Sequence, residues 1–380
     1  MKHTRTAHGF TLVELMIAMV LGLVIIGGTI SIFIANQQTF RTQDALEESL
    51  DAGRMAFEII ARDVRAAGNG ACPFTGTVTN VLNDSTSSEW FAAPGGSSVL
   101  GYDNYSGSGT NQGLPINTTI TRKPGTDALL ITRSVGTGIN IIGEMPTTSA
   151  NIDTNSTATL EQDQIVMICD AAQSTIFQIT QFPGGEKVQH NSGNGTPGNC
   201  SKFFGDPSMS PCDTSGGGAG QNPTCVTAGT PCGYKFGTDA TIVAMESLLY
   251  FIGSSTGAAP WSLYRVQVNG LAAATPVPLV DGIEDLQLAY GVDNLPAPEG
   301  DGQIDAYVTT AAGVGDPNTT AGADAWKHVL SVQINLLAVS DLKNVSTQKQ
   351  TYYYNGASVT ATDNRLYKPF SGTAFIRSPQ

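Results

Sequence analysis

The residues best suited to chemistry stand near the start of the chain, where a glycine, an aromatic residue and one carboxylate precede an apolar run. Gly9 has no side chain, so an extended backbone there can approach a protease closely. Cleavage after Gly9 would leave an α-amino group on Phe10, and that positive charge is costly among apolar helices unless it is paired. Glu14 can supply the pairing carboxylate. Gly9, Phe10 and Glu14 are therefore the first candidate site residues.

Cysteines form the second group of reactive side chains. All six lie after the apolar run, at Cys72, Cys169, Cys200, Cys212, Cys225 and Cys232. An even number of cysteines on the exported side of a membrane predicts disulfides. We expect two bridges within 200–232 and a third between Cys72 and Cys169, although six cysteines permit 15 pairings. Zinc is a weaker alternative because the sequence has no C-x₂-C pair.

An acidic loop after residue 292 offers a possible cation site. Its run of Glu299, Asp301, Gly302, Ile304 and Asp305 matches five positions of an EF-hand calcium loop, but positions 1 and 12 do not fit. The first interpretation is a solvated turn. The alternative is a looser calcium site, the one cofactor that the sequence suggests, with candidate ligands Asp293, Glu299, Asp301 and Asp305.

Nothing in the spacing of the remaining polar residues indicates an enzyme. His190 lies in a Gly/Asn-rich stretch, and His328 shares the parity of the apolar residues that follow it. The sequence has no phosphate-binding loop, histidine-rich metal motif or nucleophile elbow. With a net charge of −13 and only 13% charged residues, the chain also lacks the basic character of a nucleic-acid partner, so none is expected.

A long helix must carry the first group of residues. Residues 15–35 contain no ionisable group, and a helix of that length crosses a hydrocarbon core of about 30 Å. Lys2 and Arg5 precede it, which predicts a cytoplasmic leader and an exported remainder. A signal peptide has a shorter apolar run, and a plain membrane anchor has no need of Glu14. A cleaved leader joined to an assembly helix fits best.

Helical periodicity continues beyond the span. Leu46, Leu50, Phe57, Ile60 and Val64 recur at helical spacing, and no proline occurs from Phe10 until Pro73. We therefore predict a leader over 1–9 and a single helix with a transmembrane half, 10–35, and an amphipathic half, 36–68. Gly68 and Gly70 supply the stop.

The rest of the chain, 69–380, has the pattern of a β-rich globular domain. Apolar runs at 128–132, 164–169, 175–181 and 242–252 predict strands. Strict alternation over 286–292 and 330–336 predicts half-buried strands of an antiparallel sheet resting on the amphipathic half of the helix. Residues 183–237 form an irregular insertion that carries four of the cysteines. The predicted fold class is α+β.

The leader junction, Gly9-Phe10-Thr11-Leu12-Val13-Glu14-Leu15, closely resembles that of type IV pilins and type II secretion pseudopilins. The resemblance implies a pilin-like fold, cleavage between Gly9 and Phe10 by a prepilin peptidase, and N-methylation of Phe10. It also implies that Glu14 pairs with the N-terminus of a neighbouring subunit in the filament.

Two later segments are similar to the PilW group of minor pilins. These are 57–68, followed by Cys72, and 278–293; the strand at 332–337 and the residues 365–367 and 375–377 continue the likeness. It implies a minor pilin of a priming complex for pilus assembly, near the filament tip. The implied partners are the major pilin, other minor pilins and the inner-membrane assembly platform. The implied location is the inner membrane, with a periplasmic domain, and then the pilus.

Two other functions stay open at this point. One is a type II secretion pseudopilin of the J type, whose leader and size overlap. The other is a tip adhesin or ligand-binding pilin. Aromatic residues in irregular stretches could form its surface or could be the small core of the insertion: Trp90, Phe91, Phe203, Phe204 and Tyr234.

Overall fold

The computed structural model describes residues 11–67, 77–83, 98–107, 110–115, 118–145, 149–193, 195, 197–204, 234–268, 275–293, 301–316 and 320–377. Three α-helices lie in these ranges: α1 (Leu12–Ala66), α2 (Ala311–Val314) and α3 (Thr320–Lys327). The strands of the first half are β1 (Thr77–Asn80), β2 (Val99–Tyr102), β3 (Thr121–Arg122), β4 (Ala128–Asn140), β5 (Asn151–Asp153), β6 (Ile165–Cys169), β7 (Gln173–Gln178) and β8 (Lys187–Gln189). Those of the second half are β9 (Thr241–Ser254), β10 (Ser262–Val268), β11 (Val277–Asp281), β12 (Ile283–Val292), β13 (Ala306–Val308), β14 (Val329–Val339), β15 (Thr351–Tyr354), β16 (Ala357–Thr360) and β17 (Tyr367–Phe375).

The single long helix predicted from the sequence is present as α1, 55 residues from Leu12 to Ala66. Thr11 caps its start, and Ala67 follows its last turn in an extended conformation. Gly9 and Phe10, with which the prediction began, and the stop residues Gly68 and Gly70 lie outside the described residues.

The face of α1 that packs on the domain agrees only in part with the predicted one: Ile60 and Val64 are buried as predicted, but the two leucines are not. Leu50 is 42% exposed and Leu46 is half-buried. The buried stripe instead consists mainly of small residues: Ala45, Ser49, Gly53, Ala56, Ile60, Ala61, Asp63 and Val64. Small side chains occupy this face because they let the helix backbone approach the sheet closely. Bulky leucines at these positions would keep the helix farther from the sheet.

A nine-stranded sheet forms one half of the domain. Its central strand β9 pairs with β4 along one edge, and with β6 and then β10 along the other. The strand pairs are antiparallel except β1–β7, which is parallel, so the predicted all-antiparallel arrangement is wrong at that point. β4 runs well past the predicted strand at 128–132, because its second half pairs with β9 as far as Asn140.

A second, four-stranded sheet has the order β13-β12-β14-β17 and packs against α1. Its two central strands confirm the predicted alternation in part, because Ala289 and Ser331, predicted on the opposite face, are also buried. Leu286, Leu288 and Tyr290 on β12, like Val332, Ile334 and Leu336 on β14, are buried, whereas Gln287 and Gln333 are only partly covered. This apolar face and the buried stripe of α1 belong to one core cluster together with β4, β9 and β10.

A second core cluster lies apart from α1, among residues of β4, β6, β7, β8 and β9. The described ends of the predicted insertion contribute to it through Val188, Phe204 and Phe236. The described residues within 183–204 and 234–237 are therefore part of the packed domain. The α+β class is confirmed.

Candidate functional site

The start of α1 brings Glu14 back onto the residue that caps the helix. The Glu14 carboxylate accepts hydrogen bonds from the Thr11 backbone N–H and the Thr11 hydroxyl, both at 2.9 Å. The Glu14 N–H donates to Thr11 Oγ1 at 3.3 Å. This is a capping box, which satisfies free N–H groups of the first turn. Within one chain, Glu14 thus has local partners at the point where the processing and assembly residues were predicted.

The apolar half of α1 is not covered by any other part of the chain that the structure describes. The helix is long and apolar enough to cross a membrane, and its most apolar stretch has no buried residue. Large apolar side chains remain exposed even beyond the predicted span: Phe40 is 70% exposed and Met55 is 54% exposed. Because such a continuous apolar surface is unfavourable in water, it marks a contact with lipid or with other helices.

Where α1 meets the second sheet, two aromatic rings each lie over a glycine. A Cβ built on Gly53 would overlap the ring of Phe370 on β17, and a Cβ on Gly372 would lie 2.5 Å from Cζ of Phe57. Each ring thus occupies the space that a side chain on the facing glycine would need. This reciprocal pair fixes the position of the helix along β17 and was not predicted from the sequence.

A buried carboxylate joins the last turns of α1 to the first sheet. Asp63 is 2% exposed and accepts a hydrogen bond from the hydroxyl of Tyr250 on β9. Arg133 Nη1 on β4 lies 3.6 Å from Asp63 Oδ1, and Arg133 Nη2 lies 3.0 Å from Glu246 Oε2. Burial, followed by the bond to Asp63, raises the pKa of Tyr250. The neutral phenol therefore stays a donor at all physiological pH values.

The chain crosses from the first sheet to the second at Gly282, between β11 and β12. Gly282 has a φ of +72°, and an added Cβ would lie 2.7 Å from the carbonyl oxygen of Val339. Its N–H donates to Trp261 O at 3.1 Å, and its carbonyl accepts from Val339 N–H at 2.8 Å. A left-handed backbone in close contact with a neighbouring strand requires glycine.

Charged residues beside this crossover tie both sheets together. Lys123 Nζ donates to Glu284 Oε1 at 2.6 Å, and Arg365 Nε donates to Asp363 Oδ2 at 2.7 Å. Arg365 Nη2 lies 3.9 Å from Glu284 Oε2. Glu284 and Arg365 belong to the two C-terminal segments that carried the sequence likeness, so the structure brings these segments together.

Comparison with family models gives two matches. Residues 249–378 match PilW, described as Type IV Pilus-assembly protein W. Residues 4–30 match the prokaryotic N-terminal methylation motif. The chain therefore carries the N-terminal motif of pilin-like proteins and, over residues 249–378, a region similar to PilW. No curated protein and no solved structure shows significant similarity to it.

The PilW region contains most of the helix-docking surface. Tyr250, Gly282, Phe370 and Gly372 all lie within residues 249–378. The methylation motif covers Thr11, Glu14 and much of the apolar half of α1. The methylation-motif match thus contains the start of α1, and the PilW match contains residues that hold the end of the helix. The PilW family is one of pilus assembly proteins and gives no reason to expect catalysis.

The six cysteines are only partly described. Cys169 and Cys200 are disulfide-bonded, whereas Cys72, Cys212, Cys225 and Cys232 lie outside the described residues. The predicted bridges, Cys72 to Cys169 and two within 200–232, stay a prediction.

The described part of the acidic loop forms a hydrogen-bonded turn. The buried Asp293 carboxylate accepts the backbone N–H groups of Asp301 at 3.2 Å and Gly302 at 2.6 Å. Asp301 in turn accepts from the backbone N–H of Gln303 at 2.9 Å. Glu299 lies outside the described residues, and the described ones contain no group of three or more potential metal ligands. Calcium binding here stays a prediction, which titration calorimetry of the chain with millimolar calcium would test.

His190 is a core residue and not part of a solvent-facing loop. It is 0% exposed, and its ring stacks on that of Phe204 with centroids 4.4 Å apart. Burial lowers the pKa of His190 to about 3, so the imidazole is neutral. Phe204 is buried beside it, and Tyr234 packs against the same cluster, which favours the core interpretation for these two aromatics. Trp90 and Phe91 lie outside the described residues.

Sequence reasoning missed the Asp63 network and the glycine–aromatic pairs. Asp63 did carry a usable signal, because it lies three residues from Ile60 and next to Val64 on the predicted apolar face. A carboxylate at such a position indicates a buried partner. The glycine–aromatic pairs had no such signal, because each joins residues more than 300 positions apart in the sequence.

Proposed function

We propose that the protein is a minor pilin that joins other minor pilins in the priming complex of a type IV pilus, near the tip. The observation that carries this proposal is the division of α1. Its amphipathic half is fixed to the PilW region by the Tyr250–Asp63 hydrogen bond and the glycine–aromatic pairs, and none of the described residues covers its most apolar stretch. The domain thus presents an uncovered apolar helix for lateral packing.

Processing prepares this helix for assembly. The prepilin peptidase would hydrolyse the bond between Gly9 and Phe10, and methylation would follow at the new N-terminus. The domain would remain on the periplasmic side while the helix is held in the inner membrane. On assembly, like helices of the major pilin and minor pilins would replace lipid around the apolar half.

Glu14 has two alternative partners in this scheme. In the single chain its carboxylate accepts two hydrogen bonds from Thr11. In the filament it would instead serve the methylated amine of a neighbouring Phe10, because that cation needs an anion among apolar helices. The pair would then set the axial position of one subunit relative to the next, as buried polar groups do in coiled coils.

The test is the substitution Glu14→Gln, which keeps the shape of the side chain and removes its charge. We expect leader cleavage at close to the wild-type rate, and at least about a tenfold loss of the protein from sheared pili, given the strength of buried charge pairing. Immunoblots of membranes and of sheared pili measure both steps. The control is Glu47→Gln, an exposed carboxylate of α1, which should leave both unchanged. Normal incorporation of Glu14→Gln would refute the pairing role.

A further inference from the structure

The loop between β14 and β15 rests on α1 immediately beyond the apolar span. Gln38 Nε2 donates a 2.5 Å hydrogen bond to the carbonyl oxygen of Val345, and Thr42 Oγ1 donates to the same oxygen at 3.4 Å. The Val345 side chain is 3% exposed. The loop, residues 340–350, is therefore docked against the helix through Val345.

The other side of this loop is fixed to the segment before β17. The backbone N–H groups of Val345 and Ser346 both donate to Asn364 O at 3.0 Å, and Ser340 N–H donates to Leu366 O at 2.9 Å. Hydrogen bonds on both sides give the loop a defined height along the helix axis.

That height is the level of lipid headgroups. Gln38 follows Ala35, the last residue of the apolar run, by three positions, which is about 4.5 Å along a helix. Each headgroup layer of a bilayer is about 5–8 Å thick. When residues 15–35 cross the hydrocarbon core, the Gln38–Val345 contact therefore lies within the headgroup layer on the side of the domain.

The loop carries positive charge at this level, although the whole chain has a net charge of −13. Lys343 and Lys349 are both exposed, as is the one acidic residue of the loop, Asp341. Arg41, exposed on α1, follows Ala35 by six positions, about 9 Å along the helix and just outside this layer. Asp44, also exposed, follows Ala35 by nine positions, about 14 Å along the helix and beyond the headgroup layer. Basic residues at the headgroup level are attracted to anionic lipids.

We propose that residues 341–349 form a headgroup-binding tip, in which Lys343 and Lys349 contact the phosphates of anionic phospholipids. This rests on the membrane anchoring of the proposed function. The contact orients the domain against the membrane while the helix awaits assembly, and it is lost when the helix leaves the bilayer.

The test uses the full chain reconstituted in nanodiscs of phosphatidylcholine alone or with about one third phosphatidylglycerol. Acetylation of each lysine is followed by mass spectrometry. We expect Lys343 and Lys349 to react about threefold more slowly in the anionic discs, and about 0.5 M salt to remove the difference by screening. Lys202 and Lys235 are internal controls, because they flank the second core cluster, which contains no residue of α1.

A matched pair of variants gives a second readout. Hydrogen exchange of residues 341–349 should be slower in anionic discs for the control chain with Lys202→Gln and Lys235→Gln. The same lipid should have no effect in the chain with Lys343→Gln and Lys349→Gln.

The outcomes separate this proposal from the proposed function. Equal acetylation rates in both lipids would overturn the headgroup contact, as would equal slowing in both, which would indicate shielding by the bilayer without charge recognition. Either result leaves membrane anchoring intact, because the chain still purifies with the discs. A chain that does not enter the discs would overturn both.

Discussion

Asp63 and His190 show how burial decides the role of a single polar side chain. Asp63 is buried between partners from two different strands, the hydroxyl of Tyr250 and the guanidinium of Arg133. His190 lies among aromatic rings, and neither ring nitrogen has a hydrogen-bond partner among the described residues. The first therefore holds α1 to the first sheet through polar contacts, and the second is a neutral, aromatic-like core residue.

The buried neutral histidine predicts an acid-sensitive core. Because the pKa of His190 falls to about 3 on folding, the unfolded chain binds a proton below about pH 6.5 that the folded chain does not. This contribution to stability is complete above pH 6.5 and is lost as the pH falls towards 3. The substitution His190→Phe should remove it and leave a flatter pH profile.

Urea unfolding of the full chain in detergent measures this effect. Between pH 7.5 and pH 5, the free energy of unfolding should fall by about 2 kcal/mol more in the wild type than in His190→Phe. Burial raises the pKa of Asp127 to about 6, so its contribution to the free energy of unfolding decreases as the pH rises, opposite to that of His190. Both chains contain Asp127, so its effect cancels in the comparison. Parallel pH profiles would show that His190 does not remain neutral in the folded state.

The elements depend on a few positions where backbones come close together. Gly53 and Gly372 admit Phe370 and Phe57 between α1 and β17, so the helix docks through small residues and not through the leucines that its periodicity suggested. Gly282 turns the chain from the first sheet to the second. Strand order and helix position are therefore set by contacts between distant segments, and local propensity has little influence on them.

Gly282 and Gly356 offer a matched pair at the element scale. Both have a left-handed backbone, with φ of +72° and +77°, but an added Cβ meets Val339 O only at Gly282 and meets nothing within 4 Å at Gly356. Gly356→Ala should cost about 1 kcal/mol from backbone strain alone. Gly282→Ala should cost about 1–3 kcal/mol more because the crossover must shift.

The measurement is the urea midpoint of each variant, with the slope of unfolding as a check that both remain two-state. Similar costs for the two variants would mean that the contact with Val339 is readily relieved, and that the crossover tolerates a side chain.

At the scale of the whole molecule, basic residues and cysteines are separated by the apolar half of α1. The two basic residues of the leader lie on one side of the apolar half of α1 and all six cysteines on the other. Cys169 and Cys200 are disulfide-bonded, which fits an oxidising compartment. Disulfides would also stabilise the backbone of the predicted insertion, which contains few apolar residues.

Alkylation of the full chain tests this distribution. In denaturant without reductant, we expect none of the six cysteines to react with iodoacetamide, and after reduction we expect all six to react. Denaturant in both samples ensures that burial alone does not protect a thiol. Peptide mapping of the unreduced chain gives the pairing, and reactive thiols before reduction would contradict the predicted three bridges.

The sequence by itself determined the features that depend on local composition. The apolar span, the basic leader, Glu14 and the alternating strands of the second sheet are all readable because periodicity and charge act over a few residues. Only the tertiary structure decided which face of α1 is buried, that Asp63 has partners on β4 and β9, and that Val345 lies beside Gln38. Each of these joins segments tens to hundreds of residues apart, and their contact depends on close packing between backbones, which a local pattern does not encode.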